Sequence, residues 1–351
     1  MILLSVVTIV GAGMMGSAMS FPLRDNGHEV RLVGTHLDRE IIQSIKAEGL
    51  HPTLKRKLPE GIDCFQIEHL EQAISGADTV VGGVSSFGVE WFAANVLPVI
   101  PEGIPLLSVT KGMQNESDGS LISYPRLYCQ LLPRASEMCL NAVGGPCTSY
   151  ELADRDQTEI CFCGKDIRKL RQLKNIFETT YYHISLSEDV EGVECAVAMK
   201  NAYALGVTLA VGLSERRNGI GGRLNYNSQA ALFAQGLKEM RNLLKLVGGR
   251  DENILWGAGD LYVTVFGGRT RLIGTLLGRG MSFKDAMSEL SGITLESVVI
   301  AGRTADAVRT LIKRGRASEA DYPLLLHIDD IIRHDAEVDI PWSKFETEIV
   351  L

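Results

Sequence analysis

The sequence predicts an α/β domain, built on a mostly parallel, doubly wound sheet, followed by an all-α domain. Three observations carry this. The glycine cluster Gly11-Ala12-Gly13-Met14-Met15-Gly16 follows an apolar, β-rich run at residues 5–10 and opens a helical pattern. β-rich runs then alternate with helical spacings to about residue 187, which argues for parallel strands joined by covering helices. From about residue 188 the apolar patterns have helical periodicity. The expected domains are therefore residues 1–188 and 189–351. No Pro- or Gly-rich linker marks the boundary, so the two are expected to pack closely rather than swing freely.

In chain order, residues 5–10 (SVVTIV) read as a buried strand, and the stretch to Asn26-Gly27 as helix. Residues 28–34 (HEVRLVG) give a second strand and 38–49 a helix. Further strands are expected at 78–86, 104–112, 138–146, 158–164 and 180–187. Helical spacing then covers 192–213, 227–248, 282–290, 296–314 and 324–334. Residues 257–264 (GAGDLYVT) read as a carboxylate held at a turn or helix start. Residues 266–280, with Arg269 and Arg271, read as a glycine-rich segment.

Composition sets outer limits. With 351 residues, 45% hydrophobic and 22% charged, the chain suits a soluble globular protein with a substantial core. A formal net charge of −8 argues against a general nucleic-acid surface, though not against a local cationic pocket. The seven cysteines show no CxxC pair, which reads most simply as reduced thiols in a cytoplasm. The seven histidines show no paired spacing, so no metal is expected. The apolar N-terminus lacks a basic region and a cleavage site and reads as a buried strand rather than a signal peptide. No uninterrupted apolar run reaches about 18 residues, so no membrane span is expected. The apolar helical domain offers a face for a homodimer.

The GxGxxG cluster is a dinucleotide-binding pattern because of its context. Gly11 permits the tight turn, Gly13 lets the backbone approach a pyrophosphate, and Gly16 lets helix and strand pack closely. Met14 and Met15 open the helix, whose free N–H groups and positive dipole end face the phosphates. The second strand ends Leu32-Val33-Gly34-Thr35-His36 without the usual acid for a ribose 2′-OH. Thr35, His36 and nearby Arg39 suit a 2′-phosphate instead. NAD or NADP is expected, with NADP slightly favoured, and no flavin-binding extension points to FAD. Ligands of such sheets sit outside the carboxyl ends of the strands. Ser85, Lys111 and Gly144-Gly145-Pro146 fall there, and Lys111 is placed to face an anion or polarise an oxygen.

GVECAVAMKNAYALG (residues 192–206) is an apolar helical pattern with a lysine set into it. The plain reading of Lys200 is a stem packed on the helix with its amine reaching water. Glu194, six residues earlier, is off its face and reads as a first-turn acid. Arg269 and Arg271 suit bidentate phosphate or carboxylate recognition. Cys147 has no histidine near it in sequence and reads as an inert thiol.

Taken together, GAGMMG, VTKG, GGPCTSYE, AMKNAYAL, GAGDLYVT and GGR resemble the NAD(P)-dependent glycerol-3-phosphate dehydrogenases, in that family's order from residue 7 to about 310. The resemblance implies an N-terminal Rossmann domain, a helical C-terminal domain, and reversible reduction of dihydroxyacetone phosphate to sn-glycerol 3-phosphate. It implies that Lys200 is the catalytic acid/base, with Lys111 assisting at the substrate. Asp260 and Thr264 would orient the lysine and substrate. Arg269 would hold the phosphate and contact the cofactor side of the cleft. Asn201 would bond a substrate hydroxyl or phosphate. The chemistry of the residues agrees: hydride transfer to a ketone leaves charge on oxygen, and a lysine tuned by burial and a carboxylate can supply the proton. Two departures touch substrate and cofactor. Thr270 stands where the family usually has Asn, and Ile300 stands where a VVEG segment usually brings Glu, the nearest acid being Glu296. A dehydrogenase of a related polyol phosphate or hydroxy acid, or a non-catalytic nucleotide-binding relative, stays open.

Overall fold

Eight strands, β1 to β8, assemble into one sheet in a computed structural model that describes residues 4–292 and 295–348. They are β1 Val6–Val10, β2 Glu29–Val33, β3 Ile62–Phe65, β4 Thr79–Gly82, β5 Leu106–Ser108, β6 Leu140–Gly144, β7 Thr158–Gly164 and β8 Tyr182–Ser187. Their spatial order is β8-β7-β6-β5-β4-β1-β2-β3. All neighbours are parallel except β6 and β7. Parallel strands are covered on both faces, so they read as continuous apolar runs, and β4 (TVVG) is buried throughout. In the register, Val10 pairs with both Val33 and Gly82, which puts the glycine loop after β1 beside the ends of β2 and β4.

Sequence periodicity missed β3. Its four residues, IDCF, carry no long apolar run and sit at the sheet edge beside β2. Two small hairpins were missed for the same reason: Leu50–His51 with Arg56–Lys57, and Met113–Asn115 with Leu121–Ser123.

The chain divides into two units. One runs to Lys111 and includes Ser123–Glu194; the other takes Gly112–Ile122 and everything from Cys195. The division falls within the helix Val190–Ala198 rather than at 188/189. Residues 112–122 also cross over, which a linear reading of composition does not anticipate.

The second unit is helical. Its centre is Lys200–Asn218, buried around most of its circumference from Ala202 to Gly212, and an evenly apolar helix is a core helix. Tyr226–Leu246, Ile254–Val265, Gly268–Gly278, Glu296–Lys313 and Pro323–His334 pack around it. Within residues 190–218 an 18-residue window has mean hydropathy 1.4, apolar enough by length and composition alone to cross a membrane. Yet 83% of that window is buried inside the protein, as in the core helix of a globular domain.

Two helices, Ile254–Val265 and Gly268–Gly278, occupy the stretches read as a turn or helix start (257–264) and as a glycine-rich segment (266–280). Glycines normally weaken helices, by about 1 kcal/mol each, but here they serve helix contact. A Cβ on Gly278 would lie 2.1 Å from the Leu209 carbonyl oxygen, and one on Gly212 2.2 Å from that of Thr275. Only bare backbone lets helices 200–218 and 268–278 approach this closely. The last helix is capped from a distance. Buried Glu239 accepts the Leu324 and Leu325 N–H groups at 2.7 and 2.9 Å. Burial pushes its carboxyl up to about 7, against the pull of those bonds.

Candidate functional site

In the first unit the strand ends converge on the glycine loop. Gly11 has φ 113 and donates to the Val33 carbonyl at 2.9 Å. A Cβ on Gly11 would meet the Gly83 carbonyl carbon at 2.6 Å, and one on Gly16 the Gly11 carbonyl oxygen at 2.2 Å. Gly83, which sequence reasoning passed over, is thus the third wall of a cradle in which side chains have no room. The helix Met14–Ala18 starts from Gly13, and its first-turn N–H groups have no intrahelical acceptor. Bare backbone with free amides fits a pyrophosphate.

Sequence reasoning found no acid after β2. The structure supplies Asp38, whose Oδ2 accepts the Thr35 N–H at 2.8 Å, the Thr35 hydroxyl at 2.8 Å and the Ala12 N–H at 3.1 Å. The carboxylate therefore ties the turn after β2 to the glycine loop, and Thr35 spends its hydroxyl there. His36 is exposed beside the Trp91 ring, 5.2 Å between centroids, and exposed Arg39 pairs with Glu68.

Beyond β4 and β5, the Thr110 hydroxyl donates to the Val84 carbonyl at 2.7 Å, which leaves Ser85 exposed at the strand end. Lys111 Nζ donates to the Gly145 carbonyl at 2.6 Å, so the cation bridges the ends of β5 and β6. Glu194 is not the first-turn acid expected of it; Glu191 holds that place in the helix Val190–Ala198. Glu194 is fully buried. Burial, and then the Glu191 charge, push it well above the usual carboxylate range, while Lys111 pulls the other way.

In the second unit, Lys200 Nζ lies 2.6 Å from Asp260 Oδ1. The lysine side chain is 16% exposed and the aspartate fully buried. Gly257 explains how they meet. Its hydrogen faces the Ala196 carbonyl oxygen so closely that a Cβ would sit 2.7 Å away. Asp260 follows Gly257 by three residues and Lys200 follows Ala196 by four, about one turn further along in each case. Asp260 is thus in mid-helix, in Ile254–Val265, rather than at a turn. Three N–H groups on the ammonium leave donors free after the carboxylate is satisfied.

The remaining candidates sit on helices of the same unit. Thr264 donates its hydroxyl to the Asp260 carbonyl at 2.6 Å, leaving its oxygen to accept. Asn201 is half-buried beside Lys200. Arg269 is exposed in the first turn of Gly268–Gly278, where Arg271 donates to the Val265 carbonyl at 2.8 Å. Thr270 is 7% exposed, and Ile300 lies in the core of this unit. Among the described residues, no three His, Cys, Asp or Glu side chains gather as a metal ion would need.

Family models match both halves of the chain. The NAD-dependent glycerol-3-phosphate dehydrogenase N-terminus matches residues 6–169, and the C-terminus of the same family 189–342. An NADP(+)-dependent glycerol-3-phosphate dehydrogenase from Archaeoglobus fulgidus is 36% identical over 287 residues, covering 81% of this chain and 83% of that one. A glycerol-3-phosphate dehydrogenase [NAD(P)+] from Koribacter versatilis is 29% identical over 301 residues, 84% of this chain and 85% of that one. The crystal structure of glycerol-3-phosphate dehydrogenase from Coxiella burnetii shares the fold, with TM-score 0.78 and 22% identity over 97% of this chain and 98% of that one.

Proposed function

The chain belongs to the NAD-dependent glycerol-3-phosphate dehydrogenase family, and we propose that it interconverts dihydroxyacetone phosphate and sn-glycerol 3-phosphate with Lys200 as the acid/base. The observation that carries this is the Lys200–Asp260 ion pair, set deep between helices with ammonium donors to spare. When bound, the reduced nicotinamide supplies the hydride that reaches the carbonyl carbon. Lys200 gives a proton to the carbonyl oxygen as charge develops there, and takes it back in the reverse direction. Asp260 holds the ammonium in place. Thr264 and Asn201 bond the substrate's oxygens beside it. Lys111, fixed by Gly145, adds a cation toward the anionic substrate.

The glycine cradle of Gly11, Gly13, Gly16 and Gly83, with the Met14 and Met15 amides, holds the cofactor pyrophosphate, and Ser85 lines the same edge. NADP is favoured over NAD, because Asp38 is committed to backbone amides rather than free for a ribose hydroxyl. His36 and Arg39 are left exposed for a 2′-phosphate, Arg39 by exchanging Glu68 for it. The seven free cysteines agree with a reducing compartment such as the cytoplasm, and the second unit offers a surface for a homodimer.

Arg269 binds the substrate phosphate in this account. Arg269→Ala should raise KM for dihydroxyacetone phosphate by about 100-fold, the loss of a charge-assisted contact, and change kcat much less. Steady-state kinetics with each substrate varied in turn checks this. A rise confined to the KM for NADPH would move Arg269 to the cofactor.

A further inference from the structure

We propose that His51 is a positioning residue for the cofactor: as the neutral Nε2–H tautomer it pins the Ala12–Gly13 peptide and so aims the Gly13 N–H at the pyrophosphate. This rests on the assignment of the glycine loop to the cofactor. His51 belongs to the hairpin Leu50–His51 and Arg56–Lys57, which follows the helix Arg39–Glu48 and carries no glycine-loop residue itself. The side chain is fully buried.

The hydrogen bonds settle the tautomer. Nδ1 accepts the Leu54 N–H at 3.1 Å, so the ring proton is on Nε2. Nε2 lies 2.9 Å from the Ala12 carbonyl oxygen and donates to it. That oxygen also accepts the Ser17 hydroxyl at 3.3 Å. In a trans peptide the C=O and N–H point in opposite directions. Holding the Ala12 carbonyl toward His51 therefore turns the Gly13 N–H away from it. On the preceding peptide, the Ala12 N–H is held by Asp38 at 3.1 Å. Two side chains, from the hairpin and from the turn after β2, thus fix both peptides at Ala12. Loss of the His51 contact frees the one that carries the Gly13 donor.

Protonation breaks this arrangement, because an imidazolium donates from both nitrogens and cannot accept the Leu54 N–H. Burial holds His51 below the ordinary histidine range, against the opposing pull of the Ala12 carbonyl and of Asp38, the charged group that faces the ring. On its own hairpin, Arg56 is turned to Asp154, at 2.6 Å, and Lys55 and Lys57 are exposed. The Leu54 bond is present above the His51 pKa and lost as pH falls through it, and with it the anchor that holds the ring against the Ala12 carbonyl.

The test is NADPH binding to the full chain, followed by nucleotide fluorescence between about pH 5 and pH 8, with a thermal melt of each variant. Wild type should bind more weakly as pH falls. His51→Gln, whose amide can still donate to Ala12, should stay within about threefold of wild type at neutral pH and lose most of the acid weakening. His51→Leu should raise Kd, and KM for NADPH, about tenfold at every pH, with kcat at saturating cofactor little changed. A folded His51→Leu that binds as tightly as wild type overturns the proposal. So does a His51→Gln that keeps the whole acid weakening, and this arm decides the matter if His51→Leu does not fold. Failure of the loop assignment looks different: Gly16→Ala would then bind NADPH as well as wild type.

Discussion

Lys200→Ala should lower kcat by on the order of a thousandfold or more while leaving the Kd for NADPH nearly unchanged. The lysine sits in the second unit, far in sequence from the glycine loop, and its ammonium acts only when charge develops on the substrate oxygen. Its removal therefore subtracts from the transition state and not from cofactor binding. Folding has to be separated from chemistry, because Asp260 is fully buried and loses the Lys200 ammonium paired with it. Stranding a buried charge costs about 3–5 kcal/mol. The double variant Lys200→Ala/Asp260→Asn removes the stranded charge. It should recover most of the lost Tm and none of the lost kcat. An unaltered kcat in the single variant would rule out the acid/base role of Lys200.

Gly16→Ala should be the most damaging change in the first unit. The added methyl would stand 2.2 Å from the Gly11 carbonyl oxygen and 3.3 Å from Gly83 Cα. All of these neighbours are backbone, so no side chain can swing aside. Helix Met14–Ala18 must back away from β1, and overpacking of this kind costs about 1–3 kcal/mol or more. The amides that face the pyrophosphate move with it. We expect NADPH affinity to fall at least about 100-fold, equivalent to roughly 2.7 kcal/mol, and Tm to fall as well. Fluorescence titration and a melt check both. Retained affinity in a folded variant would remove the cofactor from this loop.

Much of this was legible in the sequence where one residue type has one physical use. Gly11 and Gly16 sit between a strand and a helix, and a lysine inside GVECAVAMKNAYALG has few reasons to be there. The strand-end positions of Ser85 and Lys111 also followed from the alternation of strands and helices. What was misread has a shared cause. Gly257, Gly274 and Gly278 lay in stretches read as a turn or helix start and as a glycine-rich segment, yet with Gly212 they are contact points between helices, a property of the partner helix rather than of local sequence. Asp260 was consequently assigned to a turn or helix start rather than to mid-helix. Asp38 and His51 escaped notice because each acts on Ala12 from another element, 26 and 39 residues away. Glu194 was read only as a first-turn acid because nothing in its own helix shows that it is buried.

The central claim is reduction of a phosphorylated ketose with Lys200 as acid. Its most direct measurement is NADPH and NADH oxidation by the purified chain, with dihydroxyacetone phosphate and dihydroxyacetone compared side by side. The account predicts a kcat/KM at least about 100-fold higher for the phosphate, from charge-assisted contacts that the unphosphorylated ketone cannot make. It also predicts the higher kcat/KM with NADPH. Equal efficiency for the two ketones would contradict the account.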